Sequence, residues 1–265
     1  MRYRSPPRDQ VDPATFDHPV FARYARHRDL LAGADWPDVA TLDARLADDR
    51  LRFVAQTPAL VADGLHYETR IFERGEIPTR ERNWHDLLNA LIWIEHRALK
   101  SALNARQAAD VARVGPKQRT RGQCALTHFD EAGAIVVIRD AALHALWDAH
   151  DWHGLFWQSR DAWSASARPI EVIVFGHALL EHALAPHLTV VTKALAVSDA
   201  VDVESALARA IRASRALVDT QELRPLPLSG IPGWHADNAH EAFYRDAPCF
   251  RPLRDGRVYP APLSL

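Results

Sequence analysis

RNWHDLLNALIWIEHRALKSALNARQ, residues 82–107, reads as one long helix in which His85, Asn89, His96, Lys100 and Asn104 interrupt a run of Leu, Ile and Trp. Counted at 100° per residue from His85, His96 falls at about 20°, Asn89 at about 40°, Lys100 at about 60° and Asn104 at about 100°. The polar groups thus share one stripe. Trp84, Leu87, Leu88, Leu91, Ile92, Ile94 and Leu99 fill roughly the 180° to 340° arc, while Leu103 and Trp93 fall within the polar stripe. A solvated face carries Glu, Lys and Arg more often than His and Asn beside Trp, so the stripe faces either a cleft or a hydrogen-bonded packing seam. Asp86 lies at the edge of the stripe. Glu95 falls in the apolar arc, where burial would demand a partner from Arg97 or another helix. The helix is expected over residues 84–114, ending at Gly115-Pro116.

Outward from this helix, helical and extended signals intermix. Asp12 caps a turn with Pro13 at its first position, and a short helix covers residues 38–47, capped by Asp38 or Thr41. Tyr67, Thr69 and Ile71 alternate ahead of Gly75, which reads as a strand entering a turn. In CALTHFDEAGAIVVIRD, residues 124–140, two β-rich runs flank Asp130-Glu131-Ala132-Gly133, the pattern of a hairpin with Gly133 at positive φ. Asp140 caps a helix through Leu143 and Trp147, and another helical piece covers residues 152–157. PIEVIVFGHALLEHAL reads as a buried strand, a Gly hinge and a helix; LTVVTKALAVS is the strand expected to return beside it. DVESALARAIRASRAL is an amphipathic helix with acids first and arginines last, as the helix dipole prefers. The predicted class is therefore α+β, a mixed sheet with several helices, in one domain of 265 residues. Residues 1–11 are expected to form a loose leader. Residues 225–265, rich in proline and aromatics, are expected to lie as an irregular tail over the body.

Composition sets limits on function. Hydrophobic residues at 48% and charged residues at 25% leave ample material for a core, and a net charge of -2 argues against bulk binding of nucleic acid. Cys124 and Cys249 stand far apart and outside any CxxC pattern, so a disulfide framework or cysteine zinc site is not expected. With no apolar signal segment and no apolar run of about 18 to 20 residues, a cytoplasmic protein without membrane attachment is expected.

Three constellations could carry chemistry. In FGHALLEH, a strand delivers His177 to a helix start, and Glu181 shares its face at i+4; Glu181 could orient the imidazole or join it on a metal. His182 lies about 140° from His177 on a helix, which removes it as an easy co-ligand. The spacing matches neither H-E-x-x-H nor H-x-x-E-H, so no zinc-protease motif is present, and no glycine-rich nucleotide loop occurs either. The sequence names no cofactor and leaves a divalent metal open. Residues 97–121 carry Arg97, Lys100, Arg106, Arg113, Lys117, Arg119 and Arg121 against the single acid Asp110, a stretch that could face an anion or be an ordinary solvated face. The tail concentrates His235, Asp237, Asn238, His240 and Glu241, equally suited to metal binding and to Asx-turns.

GEIPTRERNWHDLLNALIWIEHRALKSALNARQ, ALTHFDEAG, FGHALLEHAL and GIPGWHADNAHEAFYRDAPCFRP together resemble a bacterial family known as domain of unknown function 3025, over residues 67–254. The resemblance implies a bacterial source and places Trp84, His85, Asp86, Asn89, Asn104, His177, Glu181, Gly233 and Trp234 in family motifs. His96 stands where a more apolar residue is expected and carries less weight as a site member. The resulting expectation is a hydrolase or transferase acting on a polar or anionic substrate. His85, Asp86, His177 and Glu181 would be its catalytic groups, and Asn89, Lys100, Asn104, Arg121 and Trp234 would bind substrate. The alternatives are a non-catalytic binding protein whose polar cluster is a structural network, and a nucleic-acid binder working through residues 97–121. The first reading requires His85 and His177 to face one cleft.

Overall fold

Gly133 and Gly176 sit back to back, and that approach organises the centre of the molecule in the computed structural model, which describes residues 3–166, 168–185, 189–198 and 200–265. In chain order, helices α1 (Arg28–Ala32) and α2 (Val39–Leu46) lead to strand β1 (Arg52–Ala55), then to α3 (Pro58–Val61), α4 (Tyr67–Arg74) and β2 (Glu76–Thr79). Helices α5 (Trp84–Glu95), α6 (Arg97–Val114) and α7 (Arg121–Ala132) precede β3 (Gly133–Ile138) and α8 (Ala141–Asp148). The remainder is β4 (Ile170–Val174), α9 (His177–His182), β5 (Val191–Val197), α10 (Val203–Arg212), β6 (Leu223–Pro227) and α11 (Phe243–Asp246).

β1 and β2 pair in parallel, and the larger sheet has the order β4-β3-β5-β6, with β3 and β5 parallel and both outer pairs antiparallel. The class is α+β with a mixed sheet. Every residue of β3, GAIVVI, is buried, the unalternating pattern of a strand covered on both faces. β5 lies beside β3 (Ala134 opposite Ala194), whereas the sequence reading sets it beside β4. Among the described residues, no helix is long and apolar enough to cross a membrane.

Four local expectations are corrected, each for a traceable reason. Residues 67–74 form a helix and not a strand. Tyr67, Arg70 and Ile71 turn inward at helical spacing, and Gly75 at φ 66° closes the turn by donating to the Ile71 carbonyl. The hairpin around residues 130–133 is absent as well: the Thr120 side chain accepts from Gln123 N while Gln123 accepts from Thr120 N, and this capping box starts α7. Gly133 has φ −81°, so glycine is needed there for closeness and not for a left-handed turn: a Cβ would lie 2.1 Å from the Phe129 carbonyl oxygen. The single long helix is broken at His96 (φ −119°, ψ 38°), whose buried ring bonds the Tyr24 hydroxyl at 3.1 Å and Glu204 Oε2 at 2.7 Å. Finally, the leader is not loose. Tyr3 OH donates to the Glu181 carbonyl, the Trp84 indole donates to the Pro6 carbonyl, and Arg8 bonds the carbonyls of Leu30 and Gly33. The tail opens inside β6 and then runs through short turns, in which buried Asn238 bonds the Ser229 and Ile231 carbonyls.

Candidate functional site

The site is assembled where α5, α7 and α9 meet. Asn83 caps α5 through Asp86 N and so presents His85 in its first turn. α9 begins at His177 immediately after Gly176, whose hypothetical Cβ would lie 2.5 Å from Ala132 Cα and from Gly133 N. The amides of Phe175 and Gly176 both donate to the Gly133 carbonyl, at 3.0 and 2.8 Å. Only a residue without a side chain permits this approach, and it brings His177 to the last turn of α7, where Asp130 and Glu131 stand.

His85 Nε2 and His177 Nε2 lie 3.1 Å apart, and Glu131 Oε2 is 3.5 Å from His177 Nε2. Behind His85, Nδ1 lies 3.0 Å from Glu181 Oε2. Burial alone would raise the Glu181 carboxyl, but hydrogen bonds from His85 and Ser5 hold it below the usual range. A carboxylate only accepts, so His85 Nδ1 carries the proton and donates it toward Glu181. The bond to Glu181 raises the His85 pKa, against the effect of its partial burial. His177 is enclosed, and burial pushes its pKa down to about 3. Its own Nδ1 is shut off from solvent and has no hydrogen-bond partner among the described residues. With the proton of His85 on Nδ1, the His85 Nε2 lone pair faces His177 Nε2 at 3.1 Å, and either a proton on His177 Nε2 or a cation between the rings satisfies it.

A second tier of polar groups supports the first. Buried Lys100 donates to Asp130 Oδ1 at 2.7 Å and to Asn89 Oδ1 at 2.9 Å, and Asn89 in turn donates to the Tyr67 hydroxyl at 3.3 Å. Burial would raise the Asp130 carboxyl, but the charge and hydrogen bond of Lys100 help bring it below its ordinary value. Asn104 donates to Glu68 Oε2 at 2.7 Å, which offsets only part of the burial that pushes Glu68 up to about 7. Glu131 is likewise raised by burial. Tyr67, Glu68, Asn89, Asp130 and Glu131 open with His85 and His177 onto a cleft of about 390 Å³, whose other walls include His66, Arg80, Gln107, Gln118, Arg119 and Thr127; Lys100 and Asn104 do not line it. The size is that of a small-molecule site, and the lining is dominated by polar groups.

The structure thus brings together His85, His177, Glu181, Asn89 and Lys100, with Asn104 one layer behind. Glu181 orients His85, from the neighbouring helix, and not His177 on its own helix. Asp86 does not orient a histidine; it ion-pairs with Arg80 at 2.7 Å. Arg121 is exposed and paired with Asp219, and it does not line the cleft. Trp234 packs against His18, whose Nε2 meets the Trp234 carbonyl at 2.7 Å, also outside the cleft. Glu95 finds its partners in Arg26 and His27. The basic stretch over residues 97–121 is dispersed: Arg97 pairs with Asp48, Arg113 with Asp110, Arg121 with Asp219, and Lys100 is internal. Tyr67, Glu68, Asp130 and Glu131 belong to the site although the sequence reading does not place them there. The Thr120-x-x-Gln123 capping box is the signal for α7, and it sets Thr127 and Glu131 at i and i+4 on one helix face.

The three inner groups also fit a metal ion: ligand atoms of His85, Glu131 and His177 all lie within 4.8 Å of one another. Two imidazole nitrogens and a carboxylate oxygen are donor types that a divalent transition metal takes, and all three residues line the cleft.

The chain belongs to the family described as protein of unknown function (DUF3025), whose model matches residues 51–254. No curated protein and no solved structure matches it. His85, Glu131, His177 and Glu181 all lie inside the matched range, while Tyr3 and Ser5, which brace Glu181, lie outside it.

Proposed function

We propose that the cleft is the active site of a metal-assisted hydrolase or transferase acting on a small polar or anionic substrate. His85 Nε2, His177 Nε2 and a Glu131 oxygen hold a divalent transition metal, and Glu181 fixes the His85 ring from behind, the usual carboxylate–histidine–metal arrangement. One observation carries this reading: ligand atoms of His85, His177 and Glu131 converge within 4.8 Å of one another on the wall of an open cleft, with Glu181 bonded to the far nitrogen of His85. The open cleft supports a site over a closed structural network, since a network needs no 390 Å³ entrance.

A metal held by His85, His177 and Glu131 would supply Lewis-acid activation of water and substrate. Glu68, with a pKa of about 7, lines the same cleft and is in range to accept and return a proton near neutrality. Arg119 lines the wall and would supply positive charge for an anionic substrate, while the charge of Arg80 is matched by Asp86.

The test is calorimetric titration of chelator-treated protein with Zn²⁺, Mn²⁺ and Mg²⁺, followed by assays of p-nitrophenyl esters and phosphate esters with the preferred metal. One metal per chain is expected, lost in both His85→Ala and His177→Ala, with turnover lost in parallel. Metal binding that is equal in wild type and in the double variant His85→Ala/His177→Ala overturns the reading.

A further inference from the structure

A second and larger cavity, about 670 Å³, lies between the sheet and the C-terminal segment and shares no lining residue with the cleft. Its walls include Lys193, Arg251, Arg254 and Arg257, with His128 and His150. No Asp or Glu lines it among the described residues, although the chain as a whole holds 34 acids against 32 Lys and Arg. Elsewhere, arginines such as Arg70, Arg80, Arg97, Arg121 and Arg224 are matched by carboxylates. Here, among the described residues, Lys193, Arg251 and Arg254 form no ion pair and no side-chain hydrogen bond, and the Arg257 guanidinium bonds only the Gln221 carbonyl, at 2.8 Å. Among the described residues, no carboxylate on the wall balances these cations, so the cavity offers net positive charge to an entering anion.

The wall is also built to hold its shape. Lys193 and Val191 project from the same face of β5, because Thr192 between them turns inward to donate to the Ala132 carbonyl. The Arg251 carbonyl accepts from the Trp152 indole at 2.7 Å and lies 3.2 Å from His150 Nδ1, which anchors the loop that carries the arginines. Arg257 lies over the Tyr259 ring at 4.4 Å, and the Tyr259 hydroxyl meets His150 Nε2 at 3.0 Å. Val191, Leu223, Pro225 and Pro248 add an apolar flank. A volume of this size accommodates a metabolite and not merely a single inorganic ion.

We propose that this cavity is a second binding site, for a small organic polyanion of the phosphate-ester class, with Lys193, Arg251, Arg254 and Arg257 meeting its charge. The apolar flank would receive its uncharged part. The proposal is independent of the metal-assisted reading of the cleft.

Calorimetry on the full chain, with ATP, tripolyphosphate and inorganic phosphate as probes, tests it. ATP and tripolyphosphate are expected to bind at one per chain, more tightly than phosphate, and to weaken as NaCl is raised. The variant Lys193→Gln/Arg251→Gln/Arg254→Gln should lose at least tenfold in affinity. These three side chains are exposed, so an unchanged melting temperature without ligand would show that the fold is intact. Arg97→Gln, at an exposed residue outside both cavities, should leave polyanion affinity unaltered. The proposal is overturned by absence of ATP and tripolyphosphate binding, by equal affinity in the triple variant, or by a loss in Arg97→Gln that matches the triple variant.

Discussion

Asp130→Asn tests whether Lys100 is an internal counter-ion and not a free substrate-binding cation. Lys100 is 4% exposed and keeps its charge inside the protein through Asp130 Oδ1 at 2.7 Å and Asn89 Oδ1 at 2.9 Å. The amide introduced by the substitution is nearly isosteric with the carboxylate but neutral, leaving an ammonium with dipoles alone around it and the Trp93 ring 5.2 Å away. Breaking one side of a buried ion pair costs about 3–5 kcal/mol. Because the Asp130 side chain is about a quarter exposed, the lower part of that range applies, about 3 kcal/mol. Replacing both partners, as Lys100→Met/Asp130→Leu, should recover most of the loss, since an apolar pair of similar volume needs no counter-charge. Urea denaturation followed by tryptophan fluorescence measures both: the midpoint should fall for the single variant and return for the double, at constant slope. A single variant within about 1 kcal/mol of wild type, or a double variant worse than the single, would refute the counter-ion argument.

Other outcomes can be measured alongside. Glu68 has its pKa raised from 4.5 to about 7, so the fold favours its protonated form; its influence is absent below pH 4.5 and grows destabilising as pH rises through 7. Glu68→Gln should therefore be more stable than wild type at pH 8, by on the order of 1–3 kcal/mol, and equal to it near pH 4.5; a pH-independent difference in urea midpoints would contradict this. Gly176→Ala places a Cβ 2.5 Å from the backbone of Ala132 and Gly133, neither of which is a flexible side chain. It should cost several kcal/mol by steric overlap (about 1–3 from strain alone), and an unaltered melting temperature would show that the α9 junction has room to spare. Glu181→Gln should weaken metal binding by about 10- to 100-fold through loss of the His85 orienting bond, and calorimetry showing an unchanged affinity would remove Glu181 from that role.

The helix–strand mixture, the cap at Asp140, the Asp38 alternative for the second helix, the acid-first helix after residue 202 and the strand-Gly-helix unit that delivers His177 were legible in the chain. Each depends on neighbours a few residues away: a side chain reaching an amide at i+2 or i+3, or a buried strand that announces itself as IEVIV. His85 and Asn89 were legible too, through their shared helix face. Where two local patterns competed, local reading failed. Tyr67-Thr69-Ile71 alternates like a strand, yet Tyr67, Arg70 and Ile71 also follow helical spacing, and a core contact chose the helix.

What the chain by itself determined is which residue types stand ready on which segments. What only the tertiary structure decided is which of them meet. His96 was placed in the stripe by periodicity and taken out of the site by Tyr24 and Glu204, which lie 72 and 108 residues away in sequence. Glu181 left its helix neighbour His177 for His85, and Glu131 entered the site because Gly133 and Gly176 let two backbones touch. Contacts of that range carry no periodic signature along the chain. They exist only once burial of β3 and the helices around it has brought distant segments to a common point.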